Sequence, residues 1–167
     1  MELRQRKSNR LKGYDYSQNG AYFVTICIKN RYEMLSDICR GWALLSPIGE
    51  VAENQINTLS KRYNVKIDKY VIMPNHIHMI IVIMKGADTQ SVMQAEQSPA
   101  PTISDIICTF KSISTKLSNK YNNTPGRQIW QRSYHDHIIR NEQEYQKIWQ
   151  YIDTNTLKWE DDCFYRK

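Results

Sequence analysis

The stretch Val65-Lys-Ile-Asp-Lys-Tyr-Val-Ile-Met-Pro-Asn-His-Ile-His-Met-Ile-Ile-Val-Ile83 decides how the fold is read. Residues 65–72 begin in strict apolar–polar alternation and end apolar, as a half-buried strand does. Met73-Pro74-Asn75 breaks the run, and residues 76–83 form a second strand rich in β-branched side chains. The break is too short for a crossover, so the strands pair antiparallel. Strand side chains alternate between faces, so His76 and His78 point one way and Ile77 the other. Two imidazoles side by side on one sheet face form a ready chelate for a divalent ion; alternatively they are two hydrogen-bonded histidines at a strand end. Met79, Ile81 and Ile83 share the Ile77 face, whereas Ile80, Val82 and Met84 continue the histidine face and look equally core-like. The pair is therefore expected at the strand entrance, open to solvent, with the strand beyond it buried.

Working outward, Tyr22–Ile28 is a strand by its β-branched and aromatic content, after a turn-rich lead-in over residues 14–20. Residues 31–47 suggest a short hairpin. Ser46-Pro47 opens a helix, with Ile48, Val51, Ala52, Ile56 and Leu59 recurring at helical spacing up to about Arg62. Residues 85–101 are polar and aperiodic, a mobile loop. Thr102 or Ser104 caps a helix whose apolar face is Ile103, Ile106, Ile107, Phe110, Ile113 and Leu117, ended by Asn122-Asn-Thr-Pro-Gly126. Tyr134–Ile139 is a short strand, and Asn141 caps a last helix from Glu142 to about Asn155. Without the hairpin and the last helix the order is βαββαβ: an α+β, ferredoxin-like (RRM-like) antiparallel sheet with helices on one face, plus a C-terminal helix.

Length and composition bound the function. The 167 residues, 41% hydrophobic and 24% charged, suit one globular domain over 1–167. No apolar run approaches the roughly 20 residues that span a bilayer. The charged N-terminus has no apolar segment behind it, so no membrane partner and a cytoplasmic location are expected. Cys27, Cys39, Cys108 and Cys163 fit no CxxC zinc spacing and read as reduced, partly buried thiols. The net charge of +6 favours a polyanionic partner. Its distribution says more: Arg4, Arg6, Lys7, Arg10 and Lys12 crowd an N-terminal arm (residues 1–20), and Lys111, Lys116, Lys120, Arg127 and Arg132 crowd residues 102–132. Glu160-Asp161-Asp162 is the acidic counterpart near the C-terminus.

Met73-Pro-Asn-His-Ile-His-Met-Ile-Ile81 resembles the HUH signature of histidine, bulky apolar residue and histidine, in the form found in REP-associated tyrosine transposases, relatives of the small single-tyrosine insertion-sequence transposases. Asn9–Ser17 with Tyr22–Ile26 is similar to that family's N-terminal block. Trp130–Arg140 with Tyr151-Ile-Asp-Thr-Asn155 resembles its C-terminal block. One departure is Asn155-Thr156, where the family commonly has Asn-Pro; it concerns the local helix end rather than the chemistry.

The last helix offers two tyrosines, Tyr145 and Tyr151, and the residues alone do not choose between them. The resemblance implies Tyr151 as nucleophile, with Asn155 four residues on, sharing its helix face, as third ligand beside His76 and His78 for Mg²⁺ or Mn²⁺. Imidazoles suit Mn²⁺ better. It further implies a 5′-phosphotyrosine intermediate, a free 3′-OH and a single-stranded DNA hairpin as substrate, handled by a monomer or homodimer. No base for the phenol is identified; His135 and His137 lie in the resembling block. The basic arm (Arg4, Arg6, Lys7, Arg10, Lys12), Lys111 and Arg132 are candidate DNA contacts on an open sheet face, and Tyr16, Trp130 and Tyr134 are candidate stacking platforms. A replication initiator or relaxase shares the chemistry but usually carries further domains. A non-catalytic RRM-like binder would carry aromatics on its central strands, where histidines and aliphatics stand here.

Overall fold

A computed structural model describes residues 14–16, 18–84 and 101–165. The arm cations Arg4, Arg6, Lys7, Arg10 and Lys12, and the expected loop up to residue 100, lie outside the described residues. The strands are β1 (Gly20–Cys27), β2 (Ser36–Cys39), β3 (Trp42–Leu45), β4 (Val65–Ile72), β5 (His76–Ile83) and β6 (His135–Ile139). The helices are α1 (Pro47–Arg62), α2 (Ile103–Tyr121) and α3 (Glu142–Thr154), with 3-10 turns at Lys29–Arg31 and Asn155–Asp161. Four strands form one antiparallel sheet in the order β4-β5-β1-β6, and β2 and β3 form the separate hairpin. This is the ferredoxin-like arrangement, with β5 and β1 at its centre.

The helix starts are where capping chemistry puts them. Ser46 Oγ accepts from Gly49 N at 3.1 Å ahead of Pro47. Thr102 and Asp105 form a reciprocal capping box, and Asn141 Oδ1 accepts from Glu144 N at 2.9 Å. The alternation of β5 sorts the two faces. On one, Ile77, Met79 and Ile81 join Tyr22, Val24 and Ile26 of β1 beneath Ala52 and Ile56 of α1 and Ile106 and Phe110 of α2, forming the main core. On the other, Ile80 and Ile139 meet Ile152 of α3, with Phe23, Val82, Tyr145 and Ile148 around them. The expectation of an open sheet face is thus corrected. Ile80, Phe23, Val82 and Ile139 are apolar and need cover, and α3 supplies it.

α3 is also fixed in rotation. β4 carries an irregularity between Ile67 and Lys69, and Tyr145 donates its hydroxyl to Asp68 at that point, where Lys66 also pairs. Lys69 pairs with Asp153 farther along the helix. Tyr145 is therefore an anchoring and packing residue, which leaves Tyr151, nearly two turns on, to face the histidine end of β5.

The hairpin region is held tightly over the start of α1. Leu35 O accepts from Ser46 N at 2.9 Å, while Leu35 N donates to Pro74 O at 3.0 Å. A Cβ added at Gly49 would lie 2.0 Å from that same Leu35 carbonyl oxygen. Gly49→Ala should therefore cost about 3 kcal/mol, the upper range for overpacking. Urea denaturation would show it as a lower midpoint at unchanged slope; an unaltered midpoint would mean that the contact yields freely.

Candidate active site

Register places the site. β1 pairs with β5 so that Thr25 lies opposite His78 and Cys27 opposite His76. The two imidazoles meet with their Nε2 atoms 2.9 Å apart. Each ring is held from behind: His76 Nδ1 lies 2.8 Å from Asn75 Oδ1, and His78 Nδ1 lies 2.8 Å from Thr25 Oγ1. Asn75 Nδ2 donates to Phe164 O at 2.9 Å, so its amide oxygen is the atom facing His76. An amide oxygen only accepts, so His76 carries its proton on Nδ1 and presents a bare lone pair at Nε2. The Thr25 hydroxyl can accept from His78 Nδ1, which leaves a second lone pair at the same point, or donate to it, which lets His78 Nε2–H donate to His76 Nε2.

Burial keeps both rings neutral. It pushes His76 down to about 3, with the Arg31 charge adding to the effect. It holds His78 well below the usual histidine range, with His76 as the next cause and Asp162 opposing. Neutral imidazoles are the form that binds metal.

Tyr151 arrives from α3. Its hydroxyl lies 3.2 Å from His78 Nε2 and donates to Asp162 Oδ2 at 3.2 Å. Its ring stands edge-on to His78, 5.2 Å between centroids. Burial first, then the Asp162 carboxylate, raises the phenol above its ordinary range. Asn155 Nδ2 donates to Asp162 Oδ2 at 3.1 Å, whereas Asn155 Oδ1 is buried with no hydrogen-bond donor among the described residues. His76, His78 and Asp162 each bring a ligand atom within 4.8 Å of the others, a group that can hold a metal ion. Two converging lone pairs, an orphaned amide oxygen and a carboxylate are a donor set suited to a divalent cation of intermediate hardness.

The sequence expectation placed these histidines open to solvent. The structure corrects it: His76 is 0% and His78 2% exposed. The chain after α3 covers them. The Phe164 ring centroid lies 4.5 Å from that of His76 and 4.9 Å from the Arg31 guanidinium carbon. Phe164 N donates to Asp162 Oδ1 at 2.7 Å. The nucleophile candidate is reached from the side: Tyr151 is 40% exposed in a cleft of about 550 Å³ that Lys147, Asn155, Lys158 and Asp162 also line. Asp162 and Phe164 escaped the sequence reading. The one signal for Asp162 was the acidic run at 160–162, taken there only as charge balance, and Phe164 gave none.

The other candidates disperse. Tyr16 packs in the core against Tyr22, and Trp130 is buried on Phe110 with its indole N–H on Ser114 Oγ. Neither presents a ring to unpaired bases, which corrects both as stacking platforms. Tyr134 is half-buried beneath Lys111. Arg132 is exposed, on a groove beside α2 that does not include Tyr151 or the histidines. His135 shares the row of Thr25 and His78 on that sheet face, and His137 Nε2 pairs with Glu144 Oε1 at 2.7 Å.

A histidine pair and a helix-borne tyrosine thus share one face of the sheet. Residues 16–155 match the sequence profile of the IS200-like transposases, and the chain belongs to that family. A Haemophilus influenzae protein described as uncharacterized is 36% identical over 172 aligned positions, covering 98% of this chain and 94% of its own. The REP-associated tyrosine transposase of Escherichia coli K12 is 22% identical over 144 positions, covering 86% of this chain and 70% of its own. The solved structure of a REP-associated tyrosine transposase bound to a REP hairpin superimposes with a TM-score of 0.61 at 20% identity, covering 95% of this chain and 74% of the other. These likenesses bear out the fold and the three-block resemblance. No helix among the described residues is long and apolar enough to cross a membrane.

The partner behind each imidazole sets its ligating nitrogen. Thr25→Val, which keeps the shape and removes the hydroxyl, should weaken Mn²⁺ binding by about 10–100-fold. A calorimetric titration checks this; wild-type affinity in the variant would mean that Thr25 does not orient His78.

Proposed function

We propose that the protein is a divalent-metal-dependent, single-strand DNA nicking and joining enzyme that acts on hairpin-forming repeats, with Tyr151 as nucleophile. The observation that carries this reading is the Tyr151 hydroxyl 3.2 Å from His78 Nε2, on the wall of an open cleft. His76 and His78 would hold Mg²⁺ or Mn²⁺, with Asn155 Oδ1 and the Asp162 carboxylate as the oxygen donors. The ion, when bound, would polarise the scissile phosphate and neutralise charge building on it.

The chain's own residues do the rest. The Tyr151 oxygen attacks phosphorus, the phenolic proton leaves along the hydrogen bond to Asp162, and the P–O3′ bond breaks. The 3′ oxygen takes up a proton from solvent, and the 5′-phosphate stays on Tyr151. A second 3′-OH reverses these steps on a new partner, so the bond energy is conserved without ATP. Lys147 and Lys158 flank the cleft and suit the backbone of the entering strand. The hairpin as partner is supported by the relative of known structure, which is bound to one. The N-terminal arm, with Arg4, Arg6, Lys7, Arg10 and Lys12, supplies further contacts to the hairpin, and the chain acts as one domain.

Tyr151→Phe keeps the ring and removes the attacking atom, so it should abolish the covalent protein–DNA adduct on a denaturing gel with labelled hairpin and Mn²⁺. Tyr145→Phe should lose the Asp68 contact yet still form the adduct. An adduct that survives in the first variant and vanishes in the second would move the nucleophile to Tyr145. His76→Ala and His78→Ala should abolish cleavage and leave hairpin binding in place, because phosphate contacts supply most affinity. Unchanged cleavage in both would remove the metal site.

A further inference from the structure

β6 is an edge strand of the sheet, and its first residue, His135, stands on the histidine face. Register fixes this: His135 lies opposite Thr25 of β1, and Thr25 lies opposite His78 of β5. Neighbouring strands are about 5 Å apart, so the backbones of His135 and His78 stand about 10 Å apart across the sheet. Between them Thr25 Oγ1 holds the His78 ring from behind. His135 is exposed, and its ring has no hydrogen bond, ion pair or ring contact among the described residues. His137, two residues on and on the same face, is exposed too, but its Nε2 is committed to Glu144 Oε1 at 2.7 Å. Asp136 between them lies opposite Val24, on the main-core face. His135 is thus an unengaged imidazole in the same row as a candidate metal ligand.

The other flanks of the histidine pair are filled. On the β4 side α3 lies across the sheet, tied down by Tyr145 to Asp68 and by Asp153 to Lys69. At the His76 end, Phe164 and Trp159 sit over the imidazole, with ring centroids 4.5 and 6.0 Å away. The flank toward β6 is left. Displacement at phosphorus runs in line, so the leaving oxygen emerges opposite the attacking one. With the phenol arriving from α3, the departing O3′ emerges on the β6 flank. Asp162 is already engaged there as the acceptor of the phenolic proton. Lys147 and Lys158 line the cleft on the same wall as Tyr151, behind the attacking oxygen. An alkoxide is a poor leaving group unless it is protonated as the bond breaks, and histidine is the side chain that most often does this.

We propose that His135 is the general acid for the departing 3′ oxygen and the general base when a strand is rejoined, a proposal that rests on the nicking-and-joining reading. In cleavage, the P–O3′ bond breaks with its electron pair staying on O3′, and the His135 imidazolium gives that oxygen its N–H proton. The ring is left neutral and, being exposed, regains a proton from solvent, so solvent remains the ultimate source. In joining, neutral His135 takes the proton of the incoming 3′-OH as its oxygen attacks phosphorus. The bond to the Tyr151 oxygen then breaks, and the phenol recovers its proton through Asp162.

The test changes the leaving atom. The cleavage position is mapped with the wild-type full chain and Mn²⁺, and a second hairpin strand is made with sulfur in place of O3′ at that position. A thiolate leaves without help from an acid, because a thiol is a far stronger acid than an alcohol. Adduct formation is followed in single turnover with protein in excess. His135→Ala should slow cleavage of the natural strand by about 100- to 10,000-fold and cleave the sulfur-bridged strand as fast as the wild type does. That restored rate also shows that the variant is folded and binds DNA. His135→Gln, which keeps a hydrogen-bonding side chain but releases no proton, should behave as His135→Ala does. His137→Ala should give the wild-type ratio of rates on the two strands. An unchanged rate on the natural strand in both His135 variants, an equal loss on both strands, or restoration by sulfur in His137→Ala instead would each overturn the proposal. Wild type that cleaves while the His135 variants match it leaves the nuclease reading standing and removes only His135. Wild type that forms no adduct on either strand removes both.

Discussion

The antiparallel register of β1 on β5 is the constraint from which the site follows. It sets Thr25 against His78 and Cys27 against His76, and with Asn75 it turns two Nε2 atoms toward each other at 2.9 Å. A shift of one residue would send both imidazoles into the main core and Ile77 onto the other face. The same alternation puts Ile80 and Val82 on the histidine face, where they need cover. α3 meets that need, and a tyrosine on α3 consequently comes to rest beside His78. Packing demand along one strand thus delivers the nucleophile candidate to the ligand pair.

Electrostatics explains what gathers around the pair. With Asn75 accepting at His76 Nδ1, His76 Nε2 has a lone pair to offer, either to a proton on His78 Nε2 or to a metal ion. Burial favours the neutral form of both rings, the form that binds a metal ion. Asp162 supplies the negative counterpart within reach of both rings and of Tyr151. The orphaned Asn155 Oδ1 is the kind of buried polar atom that a folded protein seldom leaves without a partner. One divalent cation would satisfy the two imidazoles and the Asp162 carboxylate together.

Much of this was legible in the sequence because it rests on local rules. Period-two alternation gave β4 and β5, capping residues gave the starts of α1, α2 and α3, and β-branched content gave β1. His76, His78, Tyr151 and Asn155 were singled out by the motif resemblance, whereas spacing alone could not choose between Tyr145 and Tyr151. What decides between their surroundings is Asp68, a bulge residue on β4 paired with Tyr145 across 77 positions, which no local pattern reveals. Asp162 and Phe164 were illegible for a related reason: their roles depend on how the chain turns after Asn155, through a 3-10 turn that propensity does not specify. Trp130 and Tyr16 were misread because an aromatic ring in a loop carries no sign of whether it faces in or out. Lys111 looked like one more surface cation until two backbone carbonyls claimed it.

The central claim is that the helix-borne phenol beside the histidine pair is the atom that takes the phosphate. Trapping the protein on a labelled hairpin with Mn²⁺, digesting it with trypsin and sequencing the nucleotide-bearing peptide by mass spectrometry tests it directly. Cleavage after Lys147 and Lys158 releases Ile148–Lys158, in which Tyr151 is the single tyrosine, while Tyr145 falls in the neighbouring peptide Asn141–Lys147. The account predicts the nucleotide mass on Ile148–Lys158, localised to Tyr151. Its appearance on Asn141–Lys147 or on any other peptide, or cleavage of the hairpin with no peptide modified, would contradict it.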